Sequence, residues 1–171
     1  MPVRVANASG TVTVQDTQSV SLVGTTTGFL ASSTANQTYV LRRVQICRQT
    51  FTGTCIDFTG ANANVTIEDI TAKIDTNGGF PRVFLAVNDG ALTLNRNTIE
   101  RANNGFIEHL KLGETGTVVY TADNNHFVGL SGSPFRKDAV NYTTLPDWRT
   151  ATGQDTNSDT VGDASSACAV S

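Results

Sequence analysis

Two histidines, three cysteines and a short run of acids are the side chains of this 171-residue chain best equipped for chemistry. General acid–base catalysis needs a His or an environment-tuned carboxylate near the working pH. His109 and His126 both fall in presumptive strands, where a hydrogen-bonded structural His is the ordinary occupant. Gly129-Leu130-Ser131-Gly132-Ser133 starts like a nucleophile elbow, but it ends in Ser where that turn needs Gly, and no helix pattern follows. Asp57, Glu68 and Asp69 have no spacing that pairs them for catalysis. There is no phosphate-binding glycine loop, HExxH or Cys-x-x-Cys. No catalytic residue is assigned, and the chain reads as non-enzymatic.

The cysteines carry more. Cys47 and Cys55 bracket seven residues between two apolar strand fragments, so a hairpin would set them opposite each other. A disulfide is expected there, with two buried thiols as the alternative; its formation implies an oxidising compartment. Cys168, close to the end of a polar tail, is left as a free thiol or as a link to another subunit.

The acids of the tail follow a pattern. Asp155, Asn157 and Asp159 alternate, Val161 offers a backbone carbonyl two residues on, and Asp163 follows, an arrangement of oxygens that can wrap a hard cation such as calcium. Over these nine residues the chain resembles the calcium loops of dockerin and thrombospondin type 3 repeats, whose pattern is Asp-x-Asp/Asn-x-Asp-Gly. The resemblance implies a calcium site and carries no fold with it. Thr160 stands where those loops place Gly, and no Glu closes the site at the twelfth position. The alternative is a solvated acidic tail. Upstream, Tyr142 and Trp148 lie between Pro134 and Pro146 and beyond, as ring faces for a sugar or as anchors to the domain.

The elements that would position these groups are short strands. Apolar alternation recurs between Gly, Asn and Asp punctuation: Val12 and Val14, Val20 and Leu22, Ile56 and Phe58, Val65 and Ile67, Val83 to Val87, Leu92 and Leu94. Residues 15–18 read as a connecting turn. The longest candidate covers 38–48, where Tyr39 and Leu41 share a face until Arg42-Arg43 shifts the alternation to Val44 and Ile46, as a bulge would. Ile67, Ile70 and Ile74 fit a bulged strand better than a helix, and residues 97–104 predict one short helix ending before Gly105. No repeat of 20–50 residues is visible, so a solenoid is not expected. The expected fold is all-β, a single β-sandwich or jelly-roll core over residues 1–130, with extended N- and C-terminal arms, the latter covering 131–171. Residues 150–171 hold few large apolar side chains and read by composition as disordered.

Composition narrows the function. The chain has 26 Thr and 14 Asn against 12 basic and 15 acidic residues, and a net charge of −3. That charge gives no field for a phosphate backbone or an anionic membrane, and no apolar run is long enough to span one. The first residues lack a basic segment followed by an apolar stretch, so the chain reads as made without a secretory leader or as a processed form. An uncharged hydrogen-bonding surface suits contact with copies of itself, since charge is depleted at interface cores. The expected role is a self-assembling structural subunit: a coat, decoration or tail protein of a virus particle, or a cell-surface filament subunit, joined by sandwich packing and exchange of terminal arms. The other reading is a secreted, calcium-assisted β-sandwich that binds glycans through Tyr142 and Trp148.

Overall fold

The structure, a computed structural model, describes residues 3–4, 10–20, 23–74, 82–101, 107–162 and 168. In chain order its strands are β1 (Val3–Arg4), β2 (Thr11–Val20), β3 (Val23–Ser32), β4 (Thr38–Phe58), β5 (Ala63–Glu68) and β6 (Thr71–Ile74). Then come β7 (Arg82–Val87), β8 (Gly90–Asn95), β9 (Thr98–Arg101), β10 (Ile107–Leu112), β11 (Val118–Asp123), β12 (His126–Val128), β13 (Phe135–Lys137) and β14 (Val140–Tyr142). One helix, α1 (Leu145–Thr152), follows.

These strands wind into a parallel β-solenoid of about four turns. Each turn visits three faces. The first face stacks the start of β2, the start of β4, β5, β8 and β11; the second stacks the end of β2, the middle of β4, β6, β9 and β12. The third stacks β1, β3, the end of β4, β7, β10 and β13, with β14 antiparallel to β13 at its end.

The corner between the first two faces explains the shifted alternation at Arg42-Arg43. Asp16, Arg43, Asp69, Arg96 and Asn124 all adopt left-handed backbone, with φ of 50 to 56°, at equivalent places on successive turns. One such residue bends the strand so that Leu41 and Val44, or Ile67 and Ile70, both point inward although they lie three apart. Asp and Asn accept this conformation readily, Arg does not. Its cost at the two arginines is offset by ion pairs along the corner: Arg43 Nε to Asp16 Oδ1 (2.5 Å) and Arg96 Nε to Asp69 Oδ1 (2.8 Å).

Inside, side chains stack in columns: Tyr39, Val65, Leu92 and Tyr120; Leu41, Ile67, Leu94 and Ala122; Ile56, Leu85, Leu110 and Phe135; all are buried. Burying each large apolar side chain contributes about 1.5–3 kcal/mol. The third corner needs glycine for space on successive turns: a Cβ on Gly60 would lie 2.2 Å from the Thr34 carbonyl oxygen. A Cβ on Gly90, at φ 110°, would lie 2.2 Å from the carbonyl oxygen of Ala63 on the turn below.

The expected sandwich or jelly roll is therefore replaced by a solenoid. Strands pair in parallel with strands 25 to 29 residues away, from Leu85 against Leu110 to Ile56 against Leu85, and among the described residues no two sheets pack as separate layers. The repeat escapes a search for identity because equivalent positions share backbone shape and burial but not residue type: the corner reads Asp, Arg, Asp, Arg, Asn. Residues 15–18, expected to turn, bend at Asp16 and continue as β2. Of the helix expected at 97–104, Thr98–Arg101 is strand β9, held between β6 and β12, and 102–104 lie outside the described residues. Beyond Leu130 the chain stays on the solenoid, since β13 pairs with β10 and α1 closes the end.

Candidate functional site

The two ends of the solenoid differ, and the C-terminal one is built around Asp155. Helix α1 starts at Thr144, whose Oγ1 accepts from the Asp147 N–H (3.2 Å), and stops at Gly153, left-handed at φ 66°, whose N–H returns to the Arg149 carbonyl (2.8 Å). This places Trp148, fully buried, flat on Phe135 (5.2 Å between ring centres, 18° between planes) and against Tyr120 and Tyr142. The chain then turns inward. Asp155 is wholly buried, and its carboxylate accepts four hydrogen bonds: from Tyr120 Oη (2.6 Å), Trp148 Nε1 (3.0 Å), Asn125 Nδ2 (3.0 Å) and Ser158 Oγ (2.6 Å). Burial first, and then the Asp155 charge, push the Tyr120 phenol well above its usual range, so it stays a donor.

Asp155 ends a buried polar ladder. The Ile70 N–H donates to Asn97 Oδ1 (2.9 Å), Asn97 Nδ2 donates to Asn125 Oδ1 (3.0 Å), and Asn125 Nδ2 donates to the Leu94 carbonyl (2.8 Å) as well as to Asp155. Each amide repeats the one below at the turn spacing, so the side-chain amides of Asn97 and Asn125 both find partners.

The remaining tail residues go elsewhere. Asn157 donates through its N–H (2.7 Å) and Nδ2 (2.6 Å) to the Asp123 carboxylate, and Asp159 Oδ1 meets His126 Nδ1 at 2.7 Å and the Val161 N–H at 3.0 Å. That His contact holds the Asp159 carboxyl below its usual range. Asp155, Asn157 and Asp159 thus face three different neighbours, Val161 is exposed, and Asp163 lies outside the described residues. Among the described residues no three His, Cys, Asp or Glu side chains converge as a metal group.

The disulfide joins Cys47 to Cys168, not to Cys55. Between 47 and 55 strand β4 passes from the second face to the third instead of folding back as a hairpin. Cys55 is a free thiol in the interior, its pKa raised by burial, and Cys168 is bonded within the chain rather than to another subunit. Cys47 aligns with Lys73, Glu100 and Val128 along the second face, a row flanked by the inward Ile46, Ala72, Ile99 and Phe127. Gly162 lies against His126 and Val128 of β12, the last strand of that face, and Cys168 is bonded to Cys47 of β4, one strand in from the open edge.

Most other candidates lie apart from the Asp155 cluster. His109 is fully buried among Phe127 and Phe135, and burial lowers its pKa to about 4. Glu68 pairs with Arg42 (2.9 Å), Asp69 pairs with Arg96, and burial raises the Asp57 carboxyl on the third face. Ser131 is exposed on the way to β13. Trp148 is an anchor, whereas half-buried Tyr142 lines an open groove of about 410 Å³ with Asn141, Thr143, Asp147, Thr150 and Ala151.

At the opposite end no cap exists among the described residues. Strand β2 pairs with β4 on one side, and no described strand pairs with its other side. The Thr38 N–H bonds the Gly10 carbonyl, which sets Val12 and Val14 to bond β4 and leaves the N–H and C=O groups of Thr11, Thr13 and Gln15 pointing outward. Val12 and Val14, which continue the inner columns, are only partly buried. Sequence reading missed this edge and the Asn ladder; the signal available was the recurring apolar pair three residues apart, as in Leu41/Val44 and Ile67/Ile70. No known protein family, curated protein or solved structure matches this chain.

Proposed function

We propose that the chain is a non-enzymatic, self-assembling structural subunit, of the kind used in virus particles or cell-surface filaments, whose copies meet along the outer edge of β2. The observation that carries this reading is the open edge itself. An unpaired, nearly uncharged strand with half-covered valines is a template for another strand, and soluble solenoids seal such ends with caps. The first face supports it: two of its three outward rows, Thr11, Thr38, Asn64, Ala91, Val119 and Thr13, Val40, Thr66, Thr93, Thr121, contain no charge, and the charges lie in the third, at Arg42, Glu68 and Asp123 beside the corner. The disulfide suits an oxidising compartment, hence an extracellular or particle-borne location.

Two β2 edges related by a two-fold axis would pair antiparallel around Thr13 and close as a dimer. Sedimentation of the oxidised protein is expected to show that dimer, and Thr13→Pro, which removes an outward N–H while sparing the β4 ladder, to return monomers with unchanged circular dichroism. A wild-type monomer at its highest soluble concentration overturns the reading.

A second reading, a secreted glycan-binding module, rests on the groove in which Tyr142 offers a ring beside Asn141 and Asp147. Binding on a glycan array, tested with and without calcium and lost in Tyr142→Ala, would favour it over assembly.

A further inference from the structure

The sealed end is closed in a way that identifies what it excludes. Between turns of the solenoid, corner contacts such as His126 N–H to the Asn97 carbonyl (2.7 Å) and Thr98 N–H to the Ile70 carbonyl (2.8 Å) repeat. Residues 154–159 reproduce them on the outer edge of β11 and β12. The Ala122 N–H donates to Gln154 Oε1 (3.1 Å) and its carbonyl accepts the Asp155 N–H (2.9 Å). The Asn125 N–H donates to Ser158 Oγ (2.9 Å), its carbonyl accepts the Asp159 N–H (2.8 Å), and the Phe127 N–H reaches the Asp159 carbonyl (2.9 Å). Asp159 even bridges His126 in parallel, as a strand of a next turn would. This stub is clamped by Arg149, whose Nε donates to the Asp155 carbonyl (2.6 Å) and whose Nη2 donates to that of Ser158.

We propose that this stub and α1 are an internal stand-in for a second copy of the chain: they occupy the edge on which another copy's β2 would stack in parallel, and Cys47–Cys168 holds them there. The proposal rests on the self-assembly reading above and gives the same β2 edge a second, heterologous partner, which competes with the β2–β2 contact and displaces it once the cap is released. The two edges are complementary. Continuing the columns by one turn sets Thr13 of the incoming copy over Thr121, Val12 over Tyr120 and Val14 over Ala122, covering the valines that are half exposed at the open end. At the corner the incoming Asp16 would follow Asn124, a neutral amide, so no like charges meet. Trp148 now fills the space above Tyr120.

The symmetry consequence is concrete. Edge-to-edge contact through two β2 strands closes on itself, whereas β2 stacked on β11–β12 leaves one edge of each kind open and grows into a filament. The cap is thus the element that keeps assembly finite. The Cys47–Cys168 bond is the strap, and reduction breaks it: a dithiol transfers two electrons and two protons to the Sγ atoms of Cys47 and Cys168, giving two thiols, and itself closes to a cyclic disulfide. Both cysteines are buried, Cys47 fully and Cys168 at 4% exposed.

The test compares the full-length oxidised chain with the same chain reduced by dithiothreitol and alkylated, and with Cys168→Ser/Arg149→Ala, which removes both strap and clamp and leaves the solenoid core intact. Sedimentation velocity and negative-stain microscopy read the outcome. The oxidised chain is expected to stop at the dimer; the two released forms are expected to grow into concentration-dependent rods at least tenfold heavier, and Thr13→Pro added to the double variant to abolish them. Released forms that keep native circular dichroism and the oxidised mass overturn the proposal, as do amorphous aggregates or rods that survive Thr13→Pro. A dimer without rods sinks this inference alone, whereas an oxidised monomer sinks the assembly reading beneath it.

Discussion

The C-terminal end of this solenoid and its N-terminal edge solve the same problem in opposite ways. Both expose backbone groups and the last members of the inner columns. At the C-terminal end, Gln154, Asp155, Ser158 and Asp159 satisfy the edge while Trp148 covers Tyr120 and Phe135. At the N-terminal edge, Thr11, Thr13 and Gln15 turn their backbone groups outward and Val12 and Val14 stay half covered. A solenoid turn contacts only its neighbours, so an end is stable to the extent that something replaces the missing turn. The difference separates an end built to stop from an edge left able to pair.

The largest expected effect comes from removing the plug. Trp148→Ala opens a cavity over Phe135 and strips a donor from buried Asp155, and should cost about 3–5 kcal/mol in urea unfolding. If the cost is under about 1 kcal/mol, the cap is not what stabilises that end. Cys168→Ser comes next. The disulfide spans 121 residues and ties the second face to the tail, and its loss should cost about 2–5 kcal/mol. It should also raise hydrogen exchange in β12 and the cap more than in β5, because the strap couples turns that do not touch.

A third effect depends on pH. His109 has an ordinary pKa of 6.5 and a folded value of about 4, so below 6.5 the unfolded chain takes up a proton that the folded chain refuses. Stability is complete above 6.5 and falls as pH drops toward 4, by up to about 1.4 kcal/mol per pH unit. Urea midpoints measured across that window should show this slope, and His109→Leu should flatten it. The exposed corner is expected to matter least. Asp16→Asn breaks the ion pair to Arg43 at the open edge, and should lower the melting temperature slightly at low salt and not at all at high salt.

Much of this molecule can be read from its residues, but not its connections. The strands at Leu92/Leu94, Val65/Ile67 and Val83 to Val87 are legible because alternation is local. The shift at Arg42-Arg43 is legible as an irregularity, yet a bulge and a left-handed corner leave the same trace, and only the corner turns the chain onto a new face. Asp155 stood out for its spacing to Asn157 and Asp159. Its partners could not be read that way, since Tyr120, Asn125 and Trp148 reach it from two strands and a helix. The cysteines show the same limit: 47 and 55 are near in sequence but lie on different faces, while 168 is distant and adjacent.

What the sequence determined by itself is the all-β class, the strands with their polar punctuation, and a Thr-rich composition with few charges. These depend on propensity and alternation, which act within a few residues. Only the tertiary structure decided that strands pair in parallel with those 25 to 29 residues away, that Cys47 meets Cys168, and that among the described residues one end is sealed while the other stays open. Those outcomes turn on how far each corner bends the backbone. Corner bends add up over whole turns, so residues that share no local signal, such as Arg43 and Asn124 in equivalent places, fix which distant strand becomes a neighbour.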